Sequence, residues 1–296
     1  DGASAASPRL FGTIGGPITF WTTTSSGGVS LGDFNQLSTT QSSAAGADIT
    51  IGGGAADANN ASLPSGNAAS NANDGLIIGS TSAENVVRIL SGTGNISLKA
   101  ESSHVSTTSS GIEMVAGVKI TGATVDMYGK AAGASGLNNT AAGVFNYFDS
   151  GTARTEIQAT KNFSDHTQAV KIEGYVTTGT YGVMLGNTGS STTLSQQTRV
   201  VTNGDNSDIV IAGDSASDGY NVFLAGVLLS TKNGDSLVDG KGGEVVLSRT
   251  ATTRAFEYER VSGGTGGELK IISSTISTQS SGALKIASDG KLSLVP

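Results

Sequence analysis

The chain has 296 residues, of which 43 are glycine, four are proline and one is tryptophan, with no cysteine. Hydrophobic residues at 36% and aromatics at 5% are too few to fill the thick core of an ordinary two-layer domain of this length, and without cysteine no disulfide framework exists. A formal net charge of −7, from 24 acidic and 17 basic side chains with no Lys/Arg cluster, argues against nucleic acid and anionic membranes as partners, and no apolar run approaches the roughly 20 residues that cross a bilayer.

Short apolar runs bounded by Gly, Asn, Asp or Ser recur from end to end. PITFW (17–21), VSLG (29–32), DITIGG (48–53), LIIG (76–79), VVRIL (86–90) and NISLKA (95–100) come first. IEMVAGVKITGATVDMYG (112–129), VFNYF (144–148), TEIQAT (155–160), VKIEGYV (170–176), YGVMLG (181–186) and RVVT (199–202) follow. The last third adds DIVIAG (208–213), YNVFLAGVLLS (220–230), DSLVDG (235–240), EVVLSRT (244–250), AFEYERV (255–261), ELKIIS (268–273) and ALKIASDGKLSLV (283–295). Many alternate, as Ile49 with Ile51 and Ile96 with Leu98, which predicts strands with one side inward and the other toward solvent.

No segment shows a sustained helical period with a cap, and 131–146 reads as a small irregular insertion. At 14% charged residues the chain has too little charge to stay expanded, so the runs predict order. Sandwiches and barrels fill their cores with longer strands and large aromatics, whereas small residues suit a narrow coil. The expectation is therefore an all-β fold, a single continuous parallel β-solenoid over 1–296, with roughly 20–25 residues per turn and a rod on the order of 60 Å long.

Between residues 17 and 100 the pieces come in a specific order: PITFWTTTSSGGVSLGDF, then ADITIGGGAADANNASLPSGNAASNANDGLIIGS, then SGTGNISLKAES. This passage resembles the repeats of very large bacterial exoproteins of the filamentous-haemagglutinin type. GGEVVLSRT (242–250) and SGALKIASDGKLSL (281–294) keep the same style. The resemblance implies a right-handed parallel β-helix, export across a Gram-negative envelope, and service as an adhesin stalk or cell-surface fibre. It implies no catalytic site. The family's secretion domain is not seen at the start, and the chain opens at Asp1 without a leader, so a segment or processed form of an exported protein is expected.

Asp, Asn and Gly gather in loops at Asp57 to Asn60, Asn203 to Asp208, Asp214 to Asp218 and Asp235 to Asp239, and GGGAAD (52–57) is similar to a calcium β-roll repeat. The repeat is not sustained, so turn chemistry accounts for these loops better than a metal. Glu113 with Asp126, and Glu156 with Glu173, have a spacing compatible with general acid and base work, although outward carboxylates are expected on any soluble solenoid. His104 and His166 stand alone and read as solvated loop residues. Phe145, Tyr147, Phe148, Phe163, Tyr175 and Tyr181 form the densest aromatic group, read as packing, with a sugar-stacking surface as the alternative. Serine and threonine runs at 22–26, 38–43 and 106–110 leave glycosylation open.

No residue is assigned to catalysis, to a cofactor or to a metal. The expected function is that of an extracellular structural or adhesive module. Since neither DGASAASPRL nor GKLSLVP forms an amphipathic cap, head-to-tail self-association or continuation in a longer chain is expected, with surface glycans as a further partner. The alternative is a glycan-binding or glycan-degrading β-helix.

Overall fold

The computed structural model describes residues 9–21, 28–32, 35–40, 45–52, 74–79, 86–115, 117–134, 140–147, 154–186, 198–216, 219–248, 256–261, 264, 267–273, 275–277 and 291–295. Strands are the only regular elements among them. The first, fourth and seventh (Arg9–Gly12, Asn35–Ser38, Val87–Leu90) are neighbours in a first sheet. The second, fifth and eighth (Ile18–Trp21, Ile49–Gly52, Ile96–Ser102) belong to a second, and the third, sixth and ninth (Val29–Leu31, Asp74–Gly79, Ser110–Val115) to a third. This period of three carries on to give parallel sheets of eight, nine and eight strands. A chain that lays one strand on each of three sides per turn produces this order. The fold is a parallel β-solenoid, in which the other two sides serve as the crossover that parallel pairing requires.

The run 112–129 shows how one turn is written. Ser110–Val115 joins the third sheet, Val118–Gly122 the first and Val125–Ala131 the second. YNVFLAGVLLS divides likewise into Tyr220–Ala225 and Val227–Thr231, with Gly226 at a positive φ of 63° turning the corner between them. That backbone region costs a glycine nothing.

Turn length departs from the expected value. Equivalent residues of the second sheet are 23 apart between Leu269 and Leu292 but 47 apart between Ile49 and Ile96. Fewer turns fit in the chain, and eight or nine rungs at about 4.8 Å make a stack nearer 40 Å than 60 Å. Of the irregular insertion expected at 131–146, residues 142–146 are regular strand, since Ala142–Tyr147 belongs to the third sheet and pairs with Ser110–Val115 and with Tyr181–Gly186, while 135–139 lie outside the described residues.

In-register pairing stacks like side chains into columns. In the first sheet Leu37, Ile89, Ile120, Ile157, Val200, Leu229 and Tyr258 follow one another. Ile51, Leu98, Met127, Ile172, Ile211, Val238 and Ile271 do the same in the second. All of these are buried in one cluster with Ile112, Val144, Val183, Val222 and Val245 of the third sheet. Each buried aliphatic side chain contributes roughly 1.5–3 kcal/mol. Polar side chains also enter the inner columns, among them Thr198, Ser236 and Asn146. Asn146 is fully buried, donates to Met114 O and Thr155 Oγ1 at 3.1 Å each, and accepts from Thr198 Oγ1 at 2.7 Å, so its amide is satisfied.

The second and third sheets meet backbone to backbone. Gly129, Gly174 and Gly213 are in register in the second sheet, and against them lie Gly111, Gly143 and Gly182 of the third. A Cβ on Gly143 would lie 2.2 Å from Tyr175 N, and one on Gly174 2.0 Å from Gly182 O. Beyond this seam Ala131, Ala141 and Val176 form a separate small core.

From Ala142–Tyr147 onward the third sheet is apolar on both faces. Phe145, Met184, Phe223 and Val246 are in register and point away from the main core, yet they are buried with Ala142 and Ala225 in a second cluster against Tyr181 and Tyr220. Because a methyl group at the seam has no soft neighbour to displace, Gly174→Ala is expected to lower stability in urea unfolding by about 3 kcal/mol. Gly16→Ala, whose Cβ would meet only Thr13 at 3.7 Å, should leave it unchanged.

Candidate functional site

The described residues gather polar chemistry in three places and leave apolar surface open in two more. The first polar place is the line of turns that feeds the second sheet. Ile209 and Ser236 are rung neighbours, so Asp208 and Asp235, each one residue earlier, stand in one column. Asp208 Oδ1 accepts the Asp235 N–H at 2.7 Å, and Asp235 Oδ1 accepts the Glu268 N–H at 2.7 Å. His166, at the start of the preceding rung, places Nδ1 2.9 Å from Asp208 Oδ1 and 3.7 Å from Asp235 Oδ2. The hydrogen bond to Asp208 raises the imidazole pKa, and the charges of Asp208, Asp235 and Asp165 push it the same way. Gln168, Asp208, Asp235, Glu268 and Lys270 line a shallow groove of about 200 Å³ beside it.

Turn capping accounts for much of the Asp/Asn wealth in these loops. Asp205 N–H donates to Asn162 Oδ1, Asn206 N–H to Asn233 Oδ1 and Lys241 N–H to Asp239 Oδ1, each at 2.8 Å. Among the described residues, Asn206 and Lys241 are the non-glycine residues with positive φ, at 52° and 49°. The loop Asp57 to Asn60 lies outside the described residues.

The second place is on the outer face of the third sheet. Glu113 lies in register between Ile77 and Phe145 and shares a hydrogen bond with the carboxylate of Asp74. Asp74 is 7% exposed and accepts the Ser110 N–H at 2.8 Å. Burial, and then the charge of Asp74, push the Glu113 carboxyl up to about 8. Burial also raises Asp74, against the hydrogen bonds from Glu113 and Ser110 and the charge of His104. Glu113 therefore keeps the proton and donates it to Asp74.

The third place is a polar groove of about 490 Å³ on the outer face of the first sheet, lined by Glu156, Gln158, Arg199, Asn203, Glu259 and Arg260 among others. Arg199 spans it, with Nη1 3.7 Å from Glu156 and Nη2 4.0 Å from Glu259. Its Nε is buried and has no hydrogen-bond partner among the described residues.

The carboxylate pairs suggested by spacing are not brought together. Glu113 is on the third sheet, whereas Asp126 is on the second, ion-paired with Lys99 at 3.2 Å. Glu156 is on the first sheet beside Arg154 at 2.9 Å, and Glu173 is on the second beside Lys171 at 2.7 Å. The 13 residues from Glu113 to Asp126 carry the chain around two corners, and the 17 from Glu156 to Glu173 around one, to another side. Asp74, the partner Glu113 does have, looks like an ordinary turn residue in NDGLIIG. Among the aromatics, Phe145 is buried in the outer cluster with Tyr181 packed against it, and Phe163 packs on the main core under Lys161 Nζ, 5.1 Å from its ring centroid. Phe148 and the side chain of Tyr147 lie outside the described residues.

Apolar surface is exposed at the two ends of the described stack. Phe11 sits in the inner column on Leu37 and is 52% exposed. With Phe20, Val29, Leu31, Leu37 and Val87 it borders a cleft of about 230 Å³. At the other end Leu292 and Leu294 continue the inner columns of Leu269 and Ile271 and are 40% and 55% exposed. No family model, curated protein or solved structure matches the chain.

The Glu113–Asp74 pair makes stability depend on pH. Between the ordinary value of 4.5 and about 8, the folded chain holds a proton that the unfolded chain releases, so stability falls as pH rises through that window. The thermal unfolding midpoint is expected to drop from about pH 5 to about pH 8.5, and Glu113→Gln, which donates to Asp74 at every pH, should flatten that drop.

Proposed function

We propose that the chain is an extracellular structural and adhesive solenoid, a fibre or stalk module of a bacterial cell surface that stacks head to tail with further copies of itself. The observation that carries this reading is the inner column that runs on to exposed side chains at both ends of the described stack, Phe11 at one and Leu292 and Leu294 at the other, where a second copy, or a further turn of a longer chain, would cover them. An exposed side chain that continues a buried column gains most from one more turn laid over it. The outermost strands of the first and second sheets among the described residues, Arg9–Gly12 and Lys291–Val295, add backbone edges with no strand partner among those residues, of the kind that take up another strand. A second copy approaching in the same direction keeps every ladder parallel and presents the same three-sided section. Such a contact is heterologous and does not close, so it makes filaments. The resemblance of residues 17–100 to filamentous-haemagglutinin repeats supports the same reading.

A second reading, a glycan-binding or glycan-degrading solenoid, is favoured by the groove around Arg199, where donors and acceptors are interleaved. Release of reducing ends from bacterial polysaccharides would select it.

Electron microscopy of the purified chain over a range of concentrations tests the first reading. Filaments with an axial repeat of one rod are expected, and Leu292→Asp with Leu294→Asp should leave folded single rods. Single rods at every concentration would overturn stacking.

A further inference from the structure

His166, Asp208 and Asp235 come from the beginnings of three successive strands of the second sheet, Thr167–Val176, Ser207–Ser215 and Ser236–Asp239. One nitrogen and two oxygens from three adjacent rungs therefore converge, all within 4.8 Å of one another. We propose that these three side chains form a binding site for a divalent first-row transition ion, Zn²⁺ first among them, which clamps three rungs of the solenoid together.

The geometry carries the assignment. Two ligand atoms each about 2.0–2.2 Å from a tetrahedral zinc lie about 3.3–3.6 Å apart. The Nδ1 separations of 2.9 Å to Asp208 and 3.7 Å to Asp235 bracket that value, so small side-chain rotations bring the ligands to it. An imidazole nitrogen with two carboxylate oxygens is a donor set that zinc accepts, whereas calcium takes oxygen ligands only. The carboxylates are also held in place beforehand, because the backbone N–H of the next rung fixes one oxygen of each, the role that outer hydrogen bonds play around metal ligands. Asp235 Oδ2 accepts no hydrogen bond from the described residues and is turned toward the imidazole. His166 is 53% exposed, which gives an ion a direct approach from solvent and leaves room for water in the fourth position.

The proton balance is simple. In the metal-free imidazolium Nδ1–H donates to Asp208 and Nε2 carries the second hydrogen. Zinc replaces the Nδ1 proton, which passes to solvent, and Nε2 keeps its hydrogen; from the neutral ring with its hydrogen on Nε2, zinc binds Nδ1 with no proton released. The charged groups facing the imidazole are Asp165, Asp208 and Asp235, with Glu268 and Lys270 further along the groove. Their net negative charge favours a cation, and acid opposes it by protonating His166.

The site does not depend on whether copies stack. Calorimetric titration of Zn²⁺ into the full chain, paired with thermal unfolding, tests it. One ion per chain is expected, with affinity falling about tenfold or more between pH 7.5 and pH 5.5, and zinc should raise the unfolding midpoint. His166→Ala should abolish binding and the zinc-induced rise, the rise being read against that variant's own metal-free midpoint, and His104→Ala should change neither. No heat with zinc at about 100 μM, binding that persists in His166→Ala, or Ca²⁺ binding as tightly as Zn²⁺ would each overturn the proposal.

Discussion

In-register parallel pairing is the constraint from which the rest of this molecule follows. When each residue sits about 4.8 Å above its equivalent in the turn below, a choice made at one position is imposed on the whole column. Aliphatic side chains meet aliphatic side chains all the way up the inner faces. The same rule aligns backbone with backbone at the glycine seam and carboxylate with carboxylate at the mouth of the second sheet. Neighbouring carboxylates repel, and the structure offsets this in two ways: a next-rung N–H donates to one oxygen of each of the stacked Asp208 and Asp235, whereas the buried Asp74 and Glu113, which meet across adjacent rungs out of register, share one proton.

The seam gives six of the glycines, Gly111, Gly129, Gly143, Gly174, Gly182 and Gly213, a structural reason. Along that line the two sheets touch without side chains between them, so the main core closes there and a smaller one opens beyond it. The seam also sets the character of the third sheet. With its inner face against the core and its outer face covered at Phe145, Met184, Phe223 and Val246, it behaves like a fully buried parallel sheet, while Ser97, Lys99 and Glu101 of the second sheet keep an outer face that alternates toward solvent.

Much of this was legible in the residues. ISLKAES and VDMYGKA alternate and became one-sided strands of the second sheet. The consecutive apolar triplets Val183–Met184–Leu185, Val222–Phe223–Leu224 and Val245–Val246–Leu247 mark the two-sided third sheet, a distinction between patterns that follows from burial on one face or two. The candidate sites were far less legible. Which polar residues meet depends on register across turns of unequal length, and chain spacing does not contain that information. Hence Glu113 found Asp74 rather than Asp126, and His166, solitary in the sequence, lies beside carboxylates 42 and 69 positions further along, at Asp208 and Asp235.

The unequal turns have a consequence of their own. A turn can consume 23 residues or 47 and still deliver its strands to the same place on the stack, so chain length per turn is uncoupled from rise per turn. Doubling a flexible loop adds only about 0.6 kcal/mol of closure entropy. Such a scaffold admits insertion and deletion at its corners almost without penalty. Selection is then free to rewrite what the surroundings encounter while the ladders beneath stay as they are.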